Sequence, residues 1–116
     1  MIFICSPYTH SDHIVREFRY QTVRKYTYNC MQLGEIVFSP IVYGHEFVNF
    51  DERAITSSYW KDFNDHMLST ADSVRVLMLP GWCSSVGVAA EIAYANRLTS
   101  AVSYVTNTVL AEEQPQ

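Results

Sequence analysis

One acid in an otherwise apolar helix is the residue of this chain most suited to chemistry. From Val86 to Ala95 the sequence reads VGVAAEIAYA, whose apolar residues cover nearly the whole circumference of a helix and leave little face for water. Glu91 interrupts that surface. Three and four residues to either side stand Gly87, Val88, Tyr94 and Ala95, so no Lys or Arg of the same helix can pair with it. An acid in apolar surroundings without a partner is costly, and such groups concentrate at functional sites. The plain alternative is a glutamate on a narrow solvated stripe. Ahead of it the turn CSSVG supplies hydroxyls, either Ser84 or Ser85 can cap the helix, and its free N–H groups suit a phosphate. Gly87 lets a ligand come close. Six residues from Ser85 to Glu91 rise roughly 9 Å at ~1.5 Å each, a span that fits a ligand with phosphate at one end and a reacting carbon at the other.

Positioning this acid requires a strand, a turn and a helix in succession. The run Val74 to Leu79 is β-branched and aliphatic and stops at Pro80-Gly81, which predicts a buried strand and a tight turn. Upstream, Ile2 to Cys5 reads as a short buried strand. Ser11 or Asp12 can cap a long helix that runs through Leu33 with Val15, Phe18, Tyr26, Cys30 and Leu33 near helical spacing, and Gly34 ends it. Glu35 to Ser39 is the second strand, Pro40 to about Thr56 a long loop, Ser57 to Ala71 a helix, and Ala101 to Val105 a last strand. Residues 111–116, AEEQPQ, form a polar tail on an ordered core of about 2–105. Such alternation predicts a three-layer α/β sandwich, flavodoxin- or Rossmann-like, on a parallel sheet of four or five strands, in one domain over 1–116. Ligands of these sheets bind beyond the carboxyl ends of the strands. The turns there are Ser6–Thr9, Ser39–His45 and Pro80–Ser85, which makes Ser6, His45, Trp82, Ser84, Ser85 and Gly87 the candidate phosphate and substrate contacts.

Composition narrows the partners. A net charge of −4 and a pI near 5.4 argue against long nucleic acid, although four of the eight basic residues, Arg16, Arg19, Arg24 and Lys25, lie in the first helix, enough for a mononucleotide. Cys5, Cys30 and Cys83 show neither a C-x-x-C pair nor metal spacing and read as free thiols of a cytoplasmic protein. His10, Asp12, His13, His45 and His66 fall in no metal-binding pattern, so neither a metal nor a cofactor is expected. The opening MIFIC lacks the pattern of a signal peptide, and no apolar run approaches a membrane span. Trp60 and Trp82 either line a pocket or fill the core. Ile41, Val42, Tyr43, Phe47, Val48 and Phe50 give the 40–56 loop more apolar surface than water favours, which predicts either a homodimer contact or a lid over the chain's own pocket.

The segment SSVGVAAE behind the strand VRVLMLP resembles the signature of the nucleoside 2-deoxyribosyltransferase superfamily. The SPY opening, the VFSP strand and the LPGW turn are similar to those of its small bacterial and phage members of unassigned function. The resemblance spans about residues 2–105, with its specific motifs in the second half. It implies that Glu91 is the nucleophile that attacks the anomeric carbon of a nucleoside, and that Asp65 holds the sugar hydroxyls. Lys61, four residues before Asp65, also permits an ordinary surface ion pair. Tyr8 would stack on the base or set its hydroxyl near Glu91, against the plain alternative of packing the end of the sheet. Serine at 85 with glycine at 87 sides with the branch acting on nucleoside 5′-monophosphates, while the first loop SPYTHSD departs from that branch's glycine- and arginine-containing loop. The expected activity is cleavage or exchange of the base–sugar bond of a nucleoside monophosphate through a glycosyl-glutamate ester. A nucleotide-binding protein that sequesters or senses its ligand without turnover is the alternative.

Overall fold

Alternation along two short strands decides which helix packs where. In β1 (Ile2–Cys5), Phe3 and Cys5 face one way and Ile4 the other; in β3 (Ser73–Leu77), Val74 and Val76 oppose Leu77. The computed structural model describes residues 1–98 and 100–106, and in it these strands form the centre of a parallel four-stranded sheet. With β2 (Val37–Phe38) and β4 (Ala101–Val105) the strand order is β2-β1-β3-β4. Phe3 pairs with Phe38 on one side and Val74 on the other. The second strand is shorter than its predicted span of Glu35 to Ser39. The polar tail predicted over 111–116 lies outside the described residues.

One face of the sheet carries α1 (His13–Gln32), whose Val23, Tyr26 and Cys30 pack with Ile4, Leu77 and Leu79. Asp12 caps it by accepting from the Ile14 N–H at 2.9 Å, and Gly34 follows its end at φ +82°. Phe18 and Leu33, predicted on its apolar stripe, are exposed. On the other face lie α3 (Ser57–Thr70) and α4 (Val86–Arg97), whose Leu68, Val88 and Ala95 meet Phe3, Cys5, Val74 and Val76. This is the three-layer α/β sandwich the sequence predicts.

Two local expectations need correction. The stretch 40–56 is not an open loop: it folds as α2 (Pro40–Gly44) and two 3-10 turns, His45–Asn49 and Glu52–Ile55. Ser39 caps α2 by accepting from the Val42 N–H, with Pro40 in its first turn, a helix start that the end of the strand obscures. Nor is α4 apolar and buried all round. Val86, Ala89, Ala90 and Ala93 face outward, and only Val88, Glu91 and Ala95 are buried. Alanine is small enough to be neutral about which way it faces, so the pattern overstated the buried face.

The 40–55 segment leans on α3 through rings: Tyr43 stacks on Phe63 at 5.2 Å and Phe47 on Trp60 at 6.1 Å between centroids. Gly44 allows this approach, since a Cβ there would sit 2.7 Å from the Trp60 ring. Gly44→Ala is therefore expected to destabilise the protein by about 1–3 kcal/mol through overpacking. Urea denaturation checks this, and an unchanged midpoint would mean that the ring yields freely.

Candidate functional site

The loops leaving β1 and β3 meet where the strand order turns back, and a cavity of about 430 Å³ opens there. Its size lies within the roughly 300–1,000 Å³ of small-molecule sites. Arg19 of α1 ties the two loops together by donating to the Thr9 carbonyl at 3.1 Å and the Pro80 carbonyl at 3.2 Å. Arg19 is thereby a brace, and none of Arg16, Arg19, Arg24 and Lys25 lines the cavity. Pro40, Ile41, Gly44, Ala54, Ile55 and Trp60 form an apolar wall.

Glu91 reaches the cavity from the second turn of α4 and is buried. Cys5 donates its thiol to Oε1 at 3.2 Å and the Asn64 amide lies 3.5 Å from Oε2. No cation pairs with it among the described residues. Burial pushes its carboxyl up from 4.5 to about 8; the Cys5 hydrogen bond opposes this and the Asp65 charge adds to it. Burial, helped by Glu91, also drives the Cys5 thiol well above its usual range, so Cys5 acts as a neutral donor rather than a thiolate.

Two helix N-termini border the same cavity. Ser85 caps α4 by accepting from the Val88 N–H at 3.2 Å, and Ser84, Ser85, Val86 and Gly87 all line the space. Thr56, Ser57 and Ser58 bring in the start of α3, where no side-chain cap is made. The two starts nearly touch: a Cβ on Gly87 would lie 3.2 Å from that of Ser57. Gly87 thus lets the two helix starts come close. Ser6 and Asn64 are among the lining residues, and their Oγ and Oδ1 atoms are buried without a hydrogen-bond partner among the described residues.

Of the predicted site residues, Glu91, Tyr8, Ser6, Ser84, Ser85, Gly87 and His45 all line this cavity. Asp65 does not. It pairs with Lys61 at 2.5 Å, the ordinary surface reading, while its neighbour Asn64 faces inward. Trp82 is also misplaced by the sequence reading: it packs on the core and on Tyr104, and Trp60 is the tryptophan that lines the cavity. Tyr8 sends its hydroxyl to His45 Nδ1 at 2.8 Å rather than to Glu91. Cys5 and Asn64 carried no signal of their own, since a cysteine in a strand and an asparagine in a helix are common; only the packing pairs them with Glu91.

The raised value for Glu91 makes stability depend on pH. A group whose folded value lies above its unfolded one favours its protonated form, so its contribution is complete below 4.5 and disappears as the pH rises through about 8. Glu91→Gln keeps the shape of the neutral acid without its titration. The wild type is expected to lose on the order of 4 kcal/mol across that range relative to Glu91→Gln. Parallel denaturant midpoints in the two proteins from acid to alkaline pH would show that Glu91 is not the titrating group.

No curated protein sequence matches the chain. A family model described as a domain of unknown function, DUF1937, matches residues 1–107, a span that contains all of the described residues. This cavity, with its buried carboxyl and paired helix starts, is therefore carried by a member of the DUF1937 family.

Proposed function

We propose that this is a cytoplasmic enzyme that cleaves or exchanges the N-glycosidic bond of a nucleoside 5′-monophosphate, with Glu91 as the nucleophile, in line with the resemblance to the nucleoside 2-deoxyribosyltransferase superfamily. The observation that carries this reading is the Glu91 carboxyl, held without a cation in a cavity that also takes in two helix N-termini. The N–H groups at the start of α4, with Ser84, Ser85 and Gly87, hold the phosphate. Ser6 Oγ and the Asn64 amide meet the sugar, Asn64 in the place first assigned to Asp65. The base lies against Ile41 and Trp60.

Glu91 attacks C1′ in its ionised form, the base departs, and water or a second base opens the ester. Burial that disfavours the anion in the empty site makes it a stronger partner for the positive charge that develops at C1′. One observation favours the second reading, binding without turnover: a neutral Glu91 is also a good hydrogen-bond donor to a ligand.

A panel of nucleoside 5′-monophosphates separates the two. Free base is expected with the wild type and is expected to vanish with Glu91→Ala, while calorimetry shows nucleosides without phosphate binding at least tenfold more weakly. Binding of a monophosphate with no base released leaves the sensing protein; equal affinity for nucleoside and monophosphate removes the phosphate site.

The reading includes a homodimer, because Val86 lines the cavity mouth with 76 % of its surface exposed and continues into exposed Ala89, Ala90 and Ala93. Light scattering at micromolar concentration is expected to give twice the chain mass, and a monomer mass with full activity on dilution would remove the dimer.

A further inference from the structure

A second set of titratable side chains reaches the cavity besides Glu91. The Tyr8 hydroxyl lies 2.8 Å from His45 Nδ1, and His45 Nε2 lies 3.0 Å from Glu17 Oε2. Tyr20 stacks on the imidazole at 3.9 Å with 14° between planes, and Tyr8 meets it edge-on. Gln21 donates to the other Glu17 oxygen at 2.8 Å. The chain runs from the exposed Glu17 through a mostly covered His45 to a buried Tyr8, and both Tyr8 and His45 line the cavity.

The order of these groups fixes what they can do. Hydrogen bonds from Gln21 and His45 hold the Glu17 carboxyl below its ordinary value, so it is an anion that only accepts, and Nε2 carries a proton. Nδ1 then faces Tyr8 in one of two states. A neutral imidazole accepts the Tyr8 proton; an imidazolium donates to the Tyr8 oxygen and leaves the phenolic O–H free to donate into the cavity. The other charges nearby are Arg16, close to Tyr8, Arg19, whose guanidinium reaches the Tyr8 carbonyl at 3.4 Å, and Arg24, close to Glu17, all on α1. Glu17 places the one carboxylate of this set against the imidazole, at 3.0 Å from Nε2. A tyrosine that merely packed the end of the sheet would need neither a clamped imidazole nor a carboxylate behind it.

We infer that Glu17, His45 and Tyr8 form a proton relay, in which the Tyr8 hydroxyl is the general acid for the departing base, His45 resupplies it, and Glu17 positions His45. This inference rests on the glycosidase reading of the cavity. As the Glu91 carboxylate bonds to C1′, the C1′–N bond breaks and its electron pair goes to the base nitrogen. That nitrogen takes the Tyr8 proton while the Nδ1 proton passes to the Tyr8 oxygen. His45 is left neutral, with Nε2–H on Glu17. When water opens the ester the transfer reverses: the water proton goes to Tyr8, the Tyr8 proton returns to Nδ1, and Glu91 leaves as the carboxylate.

The test compares single-turnover base release from a purine nucleoside monophosphate and from its N7-methylated counterpart, whose base leaves neutral and needs no proton. Tyr8→Phe and His45→Gln are expected to slow release from the ordinary nucleotide by 100-fold or more, the scale of general acid catalysis. Release from the methylated one is expected to slow by less than 10-fold. Glu17→Gln, on an exposed side chain, keeps the test decisive should Tyr8→Phe fail to fold. It is expected to cost about 10-fold on the ordinary nucleotide and to shift His45 away from the Nε2–H form in nitrogen NMR spectra. Equal losses on both nucleotides, or no loss on either, would overturn the relay while the glycosidase reading stands. Release from neither nucleotide by the wild type would overturn both.

Discussion

Burying a carboxyl with no cation beside it among the described residues is the constraint around which this molecule is arranged. Glu91 has a thiol on one oxygen and an amide near the other, both neutral. Such partners satisfy hydrogen bonds but do not offset the loss of hydration that an anion suffers on burial. The fold tolerates the group by keeping it protonated near neutral pH. Any ligand that brings positive charge to the carboxyl recovers what burial withheld. Stability is given up here in return for a site whose electrostatics respond to its occupant.

The same constraint explains why three elements converge. Cys5 comes from the last residue of β1, Asn64 from the middle of α3 and Glu91 from α4. They meet only because the strand order places β1 beside β3, with both helices on one face of the sheet. The crossing of the two helix starts at Gly87 and Ser57 then sets a second polar region beside the first. A bulkier residue at 87 would part the helices and lower the density of N–H groups that the cavity sees. Positive helix ends and a protonated acid in one cavity give it no net negative charge of its own, which favours an anionic occupant.

Much of this was legible in the sequence because it is local. The capping serines, the Pro80-Gly81 stop and the isolated acid occupy one continuous stretch, and helix geometry alone links them. What escaped depends on which face of a helix packs inward. Asn64 and Asp65 are adjacent, yet about 100° apart around α3. Periodicity could not say which of them looked into the cavity and which met Lys61. Trp82 was chosen as a contact while Trp60 was left open for a similar reason, since a large aromatic near a pocket and one in the core have the same pattern. The helical nature of 40–55 was written in Ser39-Pro40, but the same pair also ends a strand, and the strand signal stood out more. His45 was singled out for its place beyond a strand end, whereas Glu17 and Tyr20 gave no sign of joining it from α1, 28 and 25 residues away.

That junction bears on how the cavity can open. The 40–55 segment is pinned to α3 by the rings of Tyr43, Phe47, Trp60 and Phe63, and to α1 by His45 stacked on Tyr20 and bonded to Glu17. Trp60 adds an indole N–H to the Ala54 carbonyl at 2.9 Å, and Thr9 donates to the Ile55 carbonyl at 2.7 Å. Swinging the segment outward as a lid would break contacts to both helices at once, with aromatic pairs worth roughly 0.5–1.5 kcal/mol each. It is a wall rather than a hinged cover. The wall that this segment gives the cavity is therefore fixed, and any further closure has to come from across the mouth, where Val86 and the outer alanines of α4 stand exposed.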